Sequence, residues 1–321
     1  MNRKDLYQSL NEIDDDVLQR SERASHKASS KNSSFGKRFA AIAACIAILM
    51  GVTLTAEATN GGVSNLFAPL FGFAQADIVD AIGRPIGASA SADGYILTAE
   101  AVIGDRYNVA IVYTLSREDG QPITDDLYFA DCETNILSKG SGGGSFAPIA
   151  DEENPNQITF VETWSGSSPL FGRYVTVSFS DLTIRCEGED DRVVANGPWE
   201  LSYTLRYEDS TKSVPVDHLK VMAEDGRKYQ VNKILLSPVG LHIQGLYFDP
   251  VWGEQNMLKD FKVSIRTEDG EIIPITDTAG GCSFAQNDTS ADIRIEAMFR
   301  EPIPFDEMES LIICNEEVPI K

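Results

Sequence analysis

The side chains suited to chemistry are few and scattered. Three His occur, His26, His218 and His242, and none has a Ser or Cys nucleophile in a recognisable context. No Gly-x-Ser-x-Gly elbow, phosphate-binding Gly loop, His-Glu-x-x-His or Cys-x-x-Cys is present, so no catalytic, cofactor-binding or metal-ligating residue is assigned. The acidic runs Asp151-Glu152-Glu153 and Glu189-Asp190-Asp191 lack the ordered ligand spacing and Gly turn of a calcium loop and read as solvated loops. Of five Cys, Cys132, Cys186, Cys282 and Cys314 follow the apolar stretch that contains Cys45. Four such Cys allow two bridges, one in each half, or four reduced, buried thiols, and both readings stand.

What positions these residues is legible in charge and period. The 321 residues carry 49 acidic and 27 basic side chains, a net of −22, which excludes a nucleic-acid binder because phosphate neutralisation needs a surplus of Lys and Arg. Residues 1–38 are the exception, with eight basic and six acidic groups. An uncharged stretch, Phe39 to Thr55, follows. Its length sits at the lower limit of a membrane helix, and its Phe, Ile, Val and Leu together favour insertion by roughly 2–4 kcal/mol. Lys27, Lys31, Lys37 and Arg38 flank only its N-terminal side, so the positive-inside rule puts residues 1–38 in the cytoplasm and the long acidic part outside. Ala56-Glu57-Ala58 has the form of a signal-peptide cleavage site, but 38 preceding residues are too many for an n-region, so a retained anchor over 39–56 is expected.

Within 1–38, Leu6, Leu10, Ile13 and Val17 recur at spacings of four, three and four, which predicts one amphipathic helical stripe, or two short helices with a turn at Asp14-Asp15-Asp16. The stripe has nothing in its own segment to pack against, and residues 21–36 read as a flexible tether, so the helix is expected to bind a partner. Residues 57–93 read as a connector with a short helix over Ala74 to Ile82.

Beyond Gly94 the period changes to two. Trp199-Glu-Leu-Ser-Tyr-Thr-Leu-Arg-Tyr207 alternates apolar and polar positions throughout, the pattern of a strand with one buried face. Similar runs are Tyr95–Ile103, Val109–Leu115, Ile158–Trp164, Tyr174–Ile184, Lys228–Leu236, Leu241–Tyr247, Phe261–Thr267 and Asp292–Phe299. The fold class expected is mainly β, with two antiparallel Ig-like β-sandwich domains over 94–209 and 217–321. Their buried faces are Tyr95, Leu97, Val109, Ile111, Trp199, Leu201 and Leu205, and Ile243, Phe261, Val263, Ile265, Ile293 and Ile295. An internal echo links the halves. Glu118-Asp-Gly120 and Glu268-Asp-Gly270 are each followed by a Gly-rich turn into Ser-Phe, at Gly143–Phe146 and Gly281–Phe284.

Three stretches carry a family resemblance: Leu6-Tyr-Gln-Ser-Leu-Asn-Glu-Ile-Asp-Asp-Asp-Val-Leu18, the run from Ile82 to Asp105 with Tyr113–Gly120 after it, and Met308–Ile320. In that order they resemble bacterial membrane-tethered proteins of the anti-sigma-factor type whose external part is an uncharacterised domain. The resemblance implies that residues 6–18, with Leu6, Leu10, Ile13, Asp14, Val17 and Leu18 in contact, hold an extracytoplasmic-function sigma factor at the cell membrane. The sandwiches would then meet an unknown external ligand. One His and no Cys in the cytoplasmic segment carry over no zinc site. Two other readings follow from the residues alone: a surface-anchored binding or adhesion module, and an envelope hydrolase with paired carboxylates of raised pKa.

Overall fold

The computed structural model describes residues 62–72, 75–123, 126–136, 142–149, 156–186, 190–248, 258, 260–275, 278–284 and 290–320, with backbone alone for 142–149 and 278–284. The chain divides into two units, Met1–Thr55 and Ala56–Lys321, and every described residue belongs to the second. The expected cytoplasmic helix and the 39–56 anchor therefore lie outside the described residues. Among those described, no helix is long and apolar enough to cross a membrane.

The second unit is built almost wholly of antiparallel strands. Two short helices, α1 (Ser64–Phe71) and α2 (Ala76–Ile82), precede β1 (Arg84–Ala92), β2 (Tyr95–Gly104), β3 (Asn108–Arg117), β4 (Leu127–Ile136), β5 (Gly142–Ile149), β6 (Gln157–Gly166), β7 (Tyr174–Ile184), β8 (Arg192–Ala195) and β9 (Trp199–Thr204). The second half holds β10 (Lys212–Val214), β11 (Leu219–Met222), β12 (Lys228–Ser237), β13 (Gly240–Phe248), β14 (Val263–Thr267), β15 (Ile272–Ile275), β16 (Thr278–Phe284), β17 (Ser290–Met298), β18 (Met308–Ile313) and β19 (Glu316–Pro319).

One strand order is used twice. In the first half a sheet β1-β2-β3-β6-β5 faces a sheet in which β7 pairs with β4, β8 and β9. In the second, β10-β12-β13-β17-β16, with β11 also on β12, faces β15-β14-β18-β19. The β2–β3 hairpin thus corresponds to β12–β13, β6 to β17, β5 to β16 and β7 to β18. Each pair of sheets closes on its own core. Leu97, Ile111, Phe160, Val177, Phe179, Trp199 and Leu201 fill the first, and Val231, Ile243, Val263, Ile265, Ile293, Met308 and Leu311 the second. Burial of such side chains, at about 1.5–3 kcal/mol each, is what selects the alternating pattern. Every residue expected on a buried face is buried except Tyr95, which is half-buried beside the Asp93-Gly94 turn with the Arg117 guanidinium 5.9 Å from its ring centre.

Three expectations need correction. The segment read as a connector ends in a strand: β1 pairs along β2, so the first half begins at Arg84 and not at residue 94. Its Gly-Ala-Ser-Ala-Ser-Ala run alternates half-buried and exposed without hydrophobic contrast, which hid it. The Gly-rich stretches 143–146 and 281–284 are not turns but parts of the edge strands β5 and β16, where Gly weakens a strand least. The second half starts at Lys212, because β10 pairs with β12 ahead of residue 217.

The helices explain β3, which is buried on both faces. Val109, Ile111, Tyr113 and Leu115 point between the sheets, while Ala110 and Val112 join Ala101, Ile103 and Val161 under Phe67, Phe71, Val79 and Ile82 of the helices. Asp80 clamps the two helices together, accepting from the Ser64 amide at 2.7 Å and the Ser64 hydroxyl at 3.1 Å.

The Glu-Asp-Gly tripeptide occurs three times and makes one turn. Gly120, Gly226 and Gly270 all have φ between 69° and 89°. Each donates its amide to the carbonyl three residues earlier, of Arg117, Ala223 and Thr267. The Asp carboxylate accepts from the amide two residues on, of Gln121, Arg227 and Glu271. The shared turn therefore reflects shared local chemistry, since Glu118–Gly120 follows β3 whereas Glu268–Gly270 joins β14 to β15.

Candidate functional site: a buried junction and an acid-rimmed cleft

The residues expected to contact a sigma factor, Leu6, Leu10, Ile13, Asp14, Val17 and Leu18, lie outside the described residues, as do Asp151-Glu152-Glu153 and Glu189. Asp191 is a structural tie: it accepts from the Tyr128 hydroxyl at 2.5 Å and the Cys186 amide at 3.1 Å. Among the described residues no group of three His, Cys, Asp or Glu side chains converges to hold a metal ion. Cys132, Cys186 and Cys314 are free thiols. Burial, with Glu162 nearby, pushes the Cys132 thiol up to about 12, so it stays protonated and unreactive. His218 is on the surface, its Nδ1 2.9 Å from Asn232 Oδ1, and His242 is buried.

Of the polar side chains that do converge, the sequence singled out only His242. The tips of the two equivalent hairpins meet, and Asp105, between β2 and β3, is the hub. Its Oδ1 accepts from the amides of Tyr107 and Asn108, both at 2.8 Å, and its Oδ2 from the hydroxyl of Ser237, at the end of β12, at 2.9 Å. Asn108 Nδ2 donates to the same carboxylate at 3.1 Å and reaches the Leu241 carbonyl at 3.5 Å. Tyr207 donates its hydroxyl to the Asp105 carbonyl at 2.7 Å. Tyr107 lies flat on His242 of β13, ring centres 3.9 Å apart. His242 Nδ1 is 3.3 Å from Glu296 of β17, which also holds Arg294 Nε at 2.5 Å. Burial raises the pKa of Asp105, opposed by its hydrogen-bond donors. Gly240 is required here, because a Cβ would stand 2.5 Å from the Ala297 carbonyl and 2.7 Å from Asp105 Oδ2. This junction ties the two layered halves together.

A second buried cluster sits between the sheets of the first half. Tyr113 donates its hydroxyl to Glu162 Oε2 at 2.8 Å and lies 2.5 Å from the Tyr203 hydroxyl. Burial is the main influence on Glu162 and raises its pKa. The hydrogen-bond partner of its carboxyl is a phenol, that of Tyr113.

The space for a ligand is elsewhere, in a cleft of about 670 Å³ between the β14–β15 hairpin and the segment after β17, with Gln75 at its margin. Ile273, Ile275, Phe299, Pro302 and Ile303 form an apolar floor that is buried or half-buried. Glu268, Asp269, Glu271, Glu301, Asp306 and Glu307 line it as exposed acids, against one cation, Arg300. The Thr267 hydroxyl, and after it the Glu271 amide, hold the Asp269 carboxyl below its usual range, so it is charged at neutral pH. Such a surface can bind a cation with apolar flanks and repels anions. The strand β14 and its Glu-Asp-Gly turn were expected, but β15 and the cleft were not, because β15 is a run Ile-Ile-Pro-Ile without alternation.

No family model matches the chain, and no curated protein is significantly similar to it. A solved structure, that of a conserved domain protein from Bacillus anthracis, superposes with a TM-score of 0.49 at 16% identity, over 72% of this chain and 76% of that one.

Proposed function

We propose that this protein is a single-pass membrane regulator that resembles an anti-sigma factor, retaining an extracytoplasmic-function sigma factor on its N-terminal segment while the β body senses or contacts the envelope outside. The observation that carries the reading is the order along one sequence: Leu6, Leu10, Ile13 and Val17 at spacings of four, three and four, then a basic flank, an uncharged stretch and a strongly acidic body. Cations before the apolar stretch and carboxylates after it fit N-terminus-in insertion. The body contributes a cleft of about 670 Å³ with an apolar floor and an acidic rim, which supports a binding role.

We further read both halves as Ig-like. With β2, β3, β6 and β5 as strands A, B, E and D, and β4, β7 and β9 as C, F and G, the first half has the constant-type order, and β12 to β19 repeat it. Such sandwiches present loops and sheet edges as binding platforms, which is the observation favouring the alternative of a surface-anchored binding module. The two separate in cells that carry a sigma-dependent reporter. Deleting residues 1–38 should raise transcription to the level of a strain lacking the protein. Unchanged transcription would favour the surface module.

A further inference from the structure

We infer that the cleft beside β15 is a docking site for a basic, amphipathic peptide segment bound in extended form. This names the partner class of the body and rests on reading that body as an external sensing module. Three observations converge. The cleft, at about 670 Å³, falls within the range of ligand sites, roughly 300–1,000 Å³. Its floor of Ile273, Ile275, Phe299 and Ile303 takes apolar side chains, while the exposed carboxylates Asp269, Glu271, Glu301 and Glu307 ring it with the charge that a Lys- or Arg-bearing partner complements. β15 is the edge strand of the sheet β15-β14-β18-β19, and Ile272 on it is 50% exposed. Among the described residues no strand pairs with the outer side of β15, and an extended chain can add itself at such an edge through the backbone groups of Ile272, Pro274 having no N–H to donate, with its apolar side chains entering the pocket.

Other occupants fit less well. A divalent cation lacks a converging ligand set among the described residues. Anionic lipid, nucleic acid or an acidic peptide meets like charge around the rim. A bare polycation would leave the apolar floor unused.

The test uses the full chain in neutral detergent micelles and a fluorescein-labelled synthetic peptide of alternating Lys and Leu, followed by polarisation. The chain should bind this peptide, and should bind alternating Lys-Ser and Glu-Leu peptides at least about tenfold more weakly. The pair Glu271→Lys and Glu301→Lys should lose at least about tenfold in affinity. The control pair Glu133→Lys and Glu200→Lys, on exposed positions of β4 and β9, makes the same change in net charge and should lose far less. Ile272→Lys, which blocks the edge from an exposed position, should also weaken binding. No binding of the Lys-Leu peptide, equal loss in the two charge-reversed pairs, or equal affinity for Lys-Ser would overturn the site. That failure leaves sigma-dependent transcription, read by the reporter, unchanged, so it is distinguishable from failure of the anti-sigma reading.

Discussion

Asp105 and Glu162 place two carboxyl groups in the interior, and burial, the largest influence on each, raises both pKa values. A carboxyl whose folded pKa is raised binds more protons folded than unfolded between the two values, so the folded state loses stability as pH rises through that window. For Glu162 the window opens at its ordinary value, 4.5, and extends upward. Glu162→Gln keeps an acceptor for the Tyr113 hydroxyl and carries no charge, so it should flatten the decline. Urea midpoints taken between about pH 4 and pH 8 should converge at the acid end and diverge in favour of the variant above it. Parallel profiles would show that the Glu162 charge is not confined to the core. Asp105 acts differently, because its carboxylate satisfies two backbone amides and Ser237. Asp105→Ala would leave those donors unpaired and should cost about 2–4 kcal/mol. Neither residue was legible beforehand. Gly104-Asp-Arg-Tyr-Asn108 reads as a polar turn, and Glu162 occupies a polar position in a run whose pattern does not say which polar residues face inward.

Strands were legible where the sequence wrote contrast. Tyr174–Ile184 was found to the residue although its alternation slips at Asp181–Thr183, and Trp199, Leu201 and Leu205 are buried as read because alternation is strict in Trp199–Tyr207. Four of the strands missed lack contrast: β1 is Gly, Ala and Ser, β5 and β16 are Gly-rich edges, and β15 is apolar throughout. β4, β8, β10, β11, β18 and β19 were missed as well, and β11 (Leu-Lys-Val-Met) is so short that its alternation spans only four residues. For the alternating strands, Leu201→Asp places an unpaired carboxylate between the sheets. It should cost several kcal/mol, comparable with much of a domain's stability, read as a collapse of the urea midpoint. A near-native midpoint would mean that β9 does not face the core. At the hairpin junction, Gly240→Ala should destabilise the whole body, since the added methyl meets the Ala297 backbone carbonyl at 2.5 Å and, from the facing hairpin, Asp105 Oδ2 at 2.7 Å. Gly226→Ala, at a turn with open space around it, carries only the strain of positive φ and should cost less. Equal losses for the two would argue against tight apposition of the hairpins.

At the scale of the molecule, the repeated strand order and the shared junction make residues 84–320 one β body of two similar halves, with an acid-rimmed cleft in the second. The internal echo in sequence pointed to the duplication, though through Gly-rich strands at equivalent edges and not through the Glu-Asp-Gly turns. The candidate cleft stayed hidden because it is assembled from a hairpin and a segment some thirty residues further along, with no motif in either. The functional reading depends instead on residues 1–56, where charge asymmetry and helical spacing carry the argument. Four apolar side chains docking as a helix offer roughly 6–12 kcal/mol gross. Ordering the segment removes about 2–5 kcal/mol of that and leaves room for micromolar to nanomolar affinity. Asp14, Asp15 and Asp16 would steer the encounter, so capture should weaken with added salt. The most direct measurement is capture of the sigma factor by the full chain in detergent, compared with the double variant Leu10→Asp and Ile13→Asp. The wild type should retain the sigma factor and the variant should lose it with the β body's stability unchanged; equal capture by both, or none by the wild type, would contradict the account.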